Sequence, residues 1–152
     1  MDAKKLEHIL DRHHRNPTAL LAILQDIQDT ENYLPKESIK IVAQELSISL
    51  SRVYALATFF SSFSLTPRGK HICTVCMGTA CHVRGAPKLV EHIERAFDVP
   101  AGNTTKDMNL TLETVNCVGA CALGPLVILD GEYHGNMNST KLDKVLRPVK
   151  KG

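Results

Sequence analysis

The chain carries four cysteines in two short clusters, and no other feature limits what it can fold into as strongly. Cys76 and Cys81 bracket Met77-Gly78-Thr79-Ala80, and Cys117 and Cys121 bracket Val118-Gly119-Ala120. Two pairs of soft thiolates on small-residue loops suit a [2Fe–2S] cluster, in which each iron takes two protein sulfurs. Gly78, Thr79, Ala80, Gly119 and Ala120 leave room for such a group, and their backbone N–H groups can point at its sulfurs. Zinc also accepts four cysteines, but its common knuckle is the tighter C-x2-C. Gaps of four and three residues, with 35 residues between the pairs, rank zinc second. Disulfides rank third.

The expected compartment supports that ranking. Met1 is followed by Asp-Ala-Lys-Lys with no apolar segment of a secretory signal, and no apolar run approaches the roughly 18 residues of a membrane span. A cytosolic chain of this kind seldom holds structural disulfides, so clustered cysteines read as metal-binding or redox-active. On that expectation the N-x-S/T triplets at Asn103, Asn109 and Asn138 carry no glycan. With 43% apolar residues, 5% aromatics and no Trp, the 152 residues can build an aliphatic core in one domain or two small ones. A formal net charge of +2 without a basic, aromatic-interleaved stripe argues against nucleic acid and against a membrane surface. No G-x-G-x-x-G or Walker-type loop is present, so the chain itself is not expected to bind NAD.

Hydrophobic periodicity divides the chain. Leu6, Ile9, Leu10 and His13 follow a helical repeat over residues 2–14, and Asn16-Pro17 is a cap and first-turn signal for a helix bearing Leu20, Leu21, Leu24 and Ile27. Asp29-Thr30-Glu31-Asn32 stops it. Pro35 opens a third helix with Ile39, Val42, Ala43 and Leu46 inward, and Ser49 caps a fourth with Leu50, Val53, Tyr54 and Ala57 on its apolar side. Short helices of this kind are stable only when packed together, so residues 1–67 read as a small bundle. After Pro67-Arg68-Gly69-Lys70 the pattern changes. His71–Val75 reads as a strand into the first cysteine loop, and Gly85-Ala86-Pro87 opens a helix with Leu89, Ile93 and Phe97 inward. Leu110, Leu112 and Val115 mark a strand into the second cysteine loop. Leu126–Leu129, an Asp130-Gly131 hairpin turn and a helix capped by Ser139 complete the chain. Residues 68–152 therefore read as an α/β domain with both cysteine loops at one rim of its sheet.

Three segments together resemble a known family: Val53-Tyr54-Ala55-Leu56-Ala57-Thr58-Phe59-Phe60-Ser61-Ser62-Phe63, then Pro67-Arg68-Gly69-Lys70, then the Cys76-x4-Cys81-x35-Cys117-Val118-Gly119-Ala120-Cys121 spacing. The resemblance, from about Leu20 to Leu146, is to the thioredoxin-like [2Fe–2S] ferredoxin subunit of NADH:quinone oxidoreductase, the 24 kDa subunit type. The same type occurs in NAD-linked soluble hydrogenases and formate dehydrogenases. It implies an N-terminal helical bundle followed by a thioredoxin-like domain, and it implies Cys76, Cys81, Cys117 and Cys121 as the cluster ligands. It also implies a flavin (FMN) and NAD(H)-binding partner subunit, with further iron–sulfur subunits such as a hydrogenase or formate dehydrogenase. The compact N-terminus looks bacterial, and Arg84-Gly85-Ala86 looks like the hydrogenase-associated members.

Several residues carry competing readings. Cys73 makes a Cys73-x2-Cys76 pair, yet inside an apolar strand it is expected to pack as a small hydrophobe. His71 and His82 invite a Rieske-type ligand role, but four cysteines already suffice. Thr58, Phe59, Phe60 and Phe63 offer either core or a docking motif, Met77 either a shield or an exposed loop residue, and Arg147–Lys151 a solvated tail. The expected function is one-electron transfer within a multisubunit NAD(P)(H)-linked oxidoreductase, with no catalytic site in this chain. A free-standing thioredoxin-like ferredoxin is the alternative. A thiol–disulfide oxidoreductase would want Cys-x-x-Cys at a helix N-terminus, and Cys73/Cys76 sits on a strand.

Overall fold

The structure, a computed structural model, describes residues 2–150. The chain falls into two compact units, Met1–Pro67 and Arg68–Gly152.

The first unit holds α1 (Ala3–Arg12), a 3-10 turn (Pro17–Ala19), α2 (Leu20–Glu31), α3 (Lys36–Glu45) and α4 (Leu50–Phe59). Their caps follow the sequence signals. Asn16 Oδ1 accepts the Thr18 N–H at 2.9 Å, and Ser49 accepts the Arg52 N–H. Asn32 ends α2 in the left-handed region at φ 62°. The expected helix at Asn16-Pro17 is thus a 3-10 turn that leads into α2. Leu10, Ile23, Leu24, Ile27, Leu34 and Ile39 are fully buried at the centre of the bundle. Each such side chain contributes about 1.5–3 kcal/mol of burial energy, which is what lets short helices persist. Leu50, expected on the apolar side of α4, is instead exposed, because it occupies the first turn after the Ser49 cap.

The second unit is built on a five-stranded sheet in the order β2-β3-β1-β4-β5. Its strands are β1 (His71–Cys76), β2 (Asn103–Thr104), β3 (Leu110–Val115), β4 (Val127–Leu129) and β5 (Glu132–His134). The helices are α5 (Thr79–Val83), α6 (Ala86–Phe97) and α7 (Ser139–Lys150). Strands β1 and β3 are parallel, with His71 opposite Leu110 and Cys76 opposite Val115. That register brings the chain out of both strands at the same sheet edge, the end where open α/β sheets hold their ligands. Ala86, Leu89, Val90 and Ile93 of α6 pack with Leu142, Leu146 and Val149 of α7 and with the strands in one core.

Some expectations change here. The helix α5 begins at Thr79, inside the Cys76–Cys81 segment, so that segment is only partly loop. The α7 cap is Asn138, whose Oδ1 accepts the Lys141 N–H at 2.9 Å, and Ser139 lies within the helix. The Arg147–Lys150 stretch forms the last turn of α7, with Val149 buried and Lys150 Nζ 5.5 Å from the Phe97 ring centroid, rather than a solvated tail. Lys151 lies outside the described residues. Of the aromatic group in the first unit, Phe63 is buried whereas Phe59 is 80% exposed, its ring edge-on to Phe60 at 5.1 Å.

Candidate metal centre

Cys76 is the last residue of β1, and Cys81 follows on α5; both sulfur-bearing residues are buried. Cys117 lies just past β3, Cys121 opens a 3-10 turn (Cys121–Leu123), and both are exposed. The site therefore has an inner pair and an outer pair. Strand register is what delivers them to one rim: Cys76 sits opposite Val115, and the Met77 N–H donates to the Val115 carbonyl at 2.8 Å. None of the four is in a disulfide.

The two loops touch closely. A Cβ placed on Gly78 would lie 2.8 Å from the Asn116 carbonyl oxygen and 3.4 Å from Cys117 Cα, so only glycine fits there without displacing the second loop. A Cβ on Gly124 would lie 3.1 Å from Cys81 Sγ and 3.3 Å from the Cys121 carbonyl oxygen. Both glycines have φ values open to any residue, −58° and −65°, so space is the requirement.

Backbone N–H groups converge on the sulfurs. Burial opposes ionisation of Cys76, but hydrogen bonds from the Gly78 and Val118 N–H groups and from Cys81 outweigh it and lower its pKa. Burial raises the Cys81 thiol; the Leu126 N–H works against that rise, while Cys76 and Cys121 add to it. The Gly119 N–H reaches Cys117 Sγ at 3.3 Å. Val118 crosses from the second loop to Cys76, and Cys121 bears on Cys81, so each outer-loop segment meets an inner-pair cysteine. Among the described residues no three His, Cys, Asp or Glu side chains are gathered around one point. The thiols come instead as two pairs with small residues between them. Soft thiolate donors, small loops and N–H groups aimed at sulfur fit an iron–sulfur cluster.

The remaining candidates lie elsewhere. Cys73 is fully buried in β1, and burial, with a smaller contribution from Asp130, pushes its pKa up to about 12. It is a neutral core thiol. His71 stands at the opposite end of β1 from Cys76, its Nδ1 2.7 Å from Asp130 Oδ2. His82 is exposed, and Met77 is half-buried against the core. The N–H of Leu126, which reaches Cys81 from the start of the β4 segment, was not legible in the sequence because a backbone donor carries no residue signature.

The family model for thioredoxin-like [2Fe–2S] ferredoxin matches residues 6–150. The chain belongs to that family. Its cofactor is accordingly a [2Fe–2S] cluster. Among curated relatives, this ferredoxin is 35% identical over 127 residues to the HndA subunit of the NADP-reducing hydrogenase of Solidesulfovibrio fructosivorans, covering 84% of this chain and 74% of that one. It is 32% identical over 143 residues to a subunit of the NADH-quinone oxidoreductase of Rhizobium meliloti (strain 1021), covering 94% and 85%. In fold it matches a chain of an NAD+-reducing [NiFe]-hydrogenase in the air-oxidised state with a TM-score of 0.78 at 20% identity. That match covers 90% of this chain and 24% of the hydrogenase chain. The helical region followed by a thioredoxin-like domain is thereby established as the fold.

Proposed function

We propose that this ferredoxin is the one-electron carrier subunit of a multisubunit NAD(P)(H)-linked oxidoreductase, with Cys76 and Cys81 holding one iron and Cys117 and Cys121 the other. The observation that carries the ligand assignment is the close approach of the two segments: a Cβ on Gly78 would lie 3.4 Å from Cys117 Cα and Cβ, and one on Gly124 would lie 3.1 Å from Cys81 Sγ and 3.3 Å from the Cys121 carbonyl oxygen. When bound, the cluster supplies one-electron transfer at a potential set by its ligands, hydrogen bonds and burial. The inner cysteines and the N–H groups of Gly78, Val118 and Leu126 hold the buried side and stabilise negative charge on sulfur. The exposed Cys117 and Cys121 form the side open to a partner. Exposed Leu123, beside Cys121, gives that rim an apolar contact.

The partner we propose is an FMN- and NAD(H)-binding subunit, with hydrogenase or formate dehydrogenase subunits beyond it, in the bacterial cytoplasm. The relatives named as hydrogenase and quinone-oxidoreductase subunits support an assembled rather than a solitary role. Among the described residues no helix is long and apolar enough to cross a membrane. Anaerobic purification from the native source with identification of the associated chains tests the proposal. A co-purifying flavoprotein that reduces the chain with NAD(P)H is the expected result. A monomer that exchanges electrons only with soluble carriers would replace this reading with a free-standing ferredoxin.

A further inference from the structure

Arg84 links the two cysteine segments at a point that the ligand assignment leaves unused. It is the C-cap residue of α5, three residues after Cys81, and its side chain reaches across to the other segment. Nη1 donates to the Cys121 carbonyl at 3.0 Å and to the Gly124 carbonyl at 3.2 Å. These two acceptors flank the 3-10 turn that Cys121 opens, so one planar cation fixes both ends of that turn. The same nitrogen would lie 3.5 Å from a Cβ on Gly124, a point itself 3.1 Å from Cys81 Sγ. The guanidinium is therefore well within a Debye length, about 10 Å at 0.1 M salt, of the inner pair.

The geometry points to Arg84 as a positioning residue that locks the outer cysteine loop to the inner one and holds up the reduction potential of the site. The inference rests on the four-cysteine assignment. One-electron reduction would make the bound cluster one unit more negative, so a fixed cation nearby favours the reduced state. Its loss makes the potential more negative. Both bonds leave one nitrogen, so lysine keeps the charge but carries it on a more flexible, more strongly hydrated stem that holds the turn less firmly.

The test uses the full-length holoprotein, whose iron and sulfide content first establishes that the cluster is present. Potentials of wild type, Arg84→Lys and Arg84→Gln are measured by redox titration followed by EPR, and cluster release is timed under chelator challenge. Arg84→Gln is expected to shift the potential negative and to release its cluster at least about tenfold faster, as loss of two charged hydrogen bonds implies. Arg84→Lys is expected to keep a near-wild-type potential while releasing faster than wild type. A wild-type potential in cluster-loaded Arg84→Gln overturns the proposal. Should neither variant load, apo chains that melt like wild type support the locking role, and apo chains that are themselves unstable refute it. A wild-type chain lacking iron and sulfide would instead sink the cluster assignment.

Discussion

Gly78→Ala probes the contact on which the cysteine site depends. The added Cβ would stand 2.8 Å from the Asn116 carbonyl oxygen and 3.4 Å from both Cα and Cβ of Cys117, whereas ordinary contact starts at 3.4 Å. The obstacle is backbone, which cannot swing aside as the end of a long side chain can. Forcing such a fit costs about 1–3 kcal/mol. Because φ is −58° and ψ is 157°, alanine is otherwise comfortable there, and its stiffer unfolded chain returns about 0.4–1 kcal/mol. The net loss is about 1–2 kcal/mol, or roughly 5–15 °C in the melting of a unit this size. The displaced atoms belong to Cys117 and its neighbour, so the outer cysteine loop moves with them. Gly102→Ala is the control: at φ +83° with nothing within 4 Å of the new Cβ, it costs a comparable 1–2 kcal/mol (roughly) through backbone strain alone. Thermal melts of the holoproteins and visible-absorbance decay under a chelator separate the two effects. Gly78→Ala should lose its cluster several-fold faster than Gly102→Ala at matched stability loss. Equal release rates would refute the claim that this approach holds the two loops in register.

Cys73, buried and with its pKa pushed up to about 12, should resist iodoacetamide in the native holoprotein and react only after denaturation, since the thiolate is the nucleophile; mass mapping that finds it alkylated in the folded protein contradicts its placement in the core. A chain cut to residues 68–152 should keep its iron but bind the proposed flavoprotein partner more weakly, as calorimetry against full length would show. Phe59→Ser, at an 80% exposed site, should change stability by no more than about 0.5 kcal/mol while weakening partner binding at least tenfold. Unchanged affinity would remove the aromatic group from the docking surface.

Much of the architecture was legible because burial follows periodicity. The helical repeat in residues 36–46 placed Ile39, Val42, Ala43 and Leu46 inside, where they are, and the Ser49 and Asn16 caps were visible as side chains that satisfy free N–H groups. The alternation around Leu110 and Leu112 gave β3. Five-residue α5 was hidden because a single turn or so carries no amphipathic repeat, and its residues are small and ambivalent. The two-residue β2 was hidden for the same reason. Asn138 and Ser139 are both good caps, and only tertiary geometry chose between them. The candidate cysteines were legible from their spacing. What surrounds them was less so: the N–H of Leu126 and the reach of Arg84 to Cys121 and Gly124 depend on contacts across 37 and 40 positions, which no local pattern encodes.

The central claim, that Cys76, Cys81, Cys117 and Cys121 hold a two-iron cluster and Cys73 does not, is tested most directly by five single Cys→Ala variants. Each is purified anaerobically and assayed for iron, acid-labile sulfide and the EPR signal of the dithionite-reduced protein. The account predicts about two irons and two sulfides per chain in wild type and Cys73→Ala, with a spin-half signal on reduction. It predicts loss or severe instability of the cluster in the other four, because holding the metal and holding the loops are one equilibrium. A Cys73→Ala protein without iron beside a Cys76→Ala protein that keeps its full complement would contradict it.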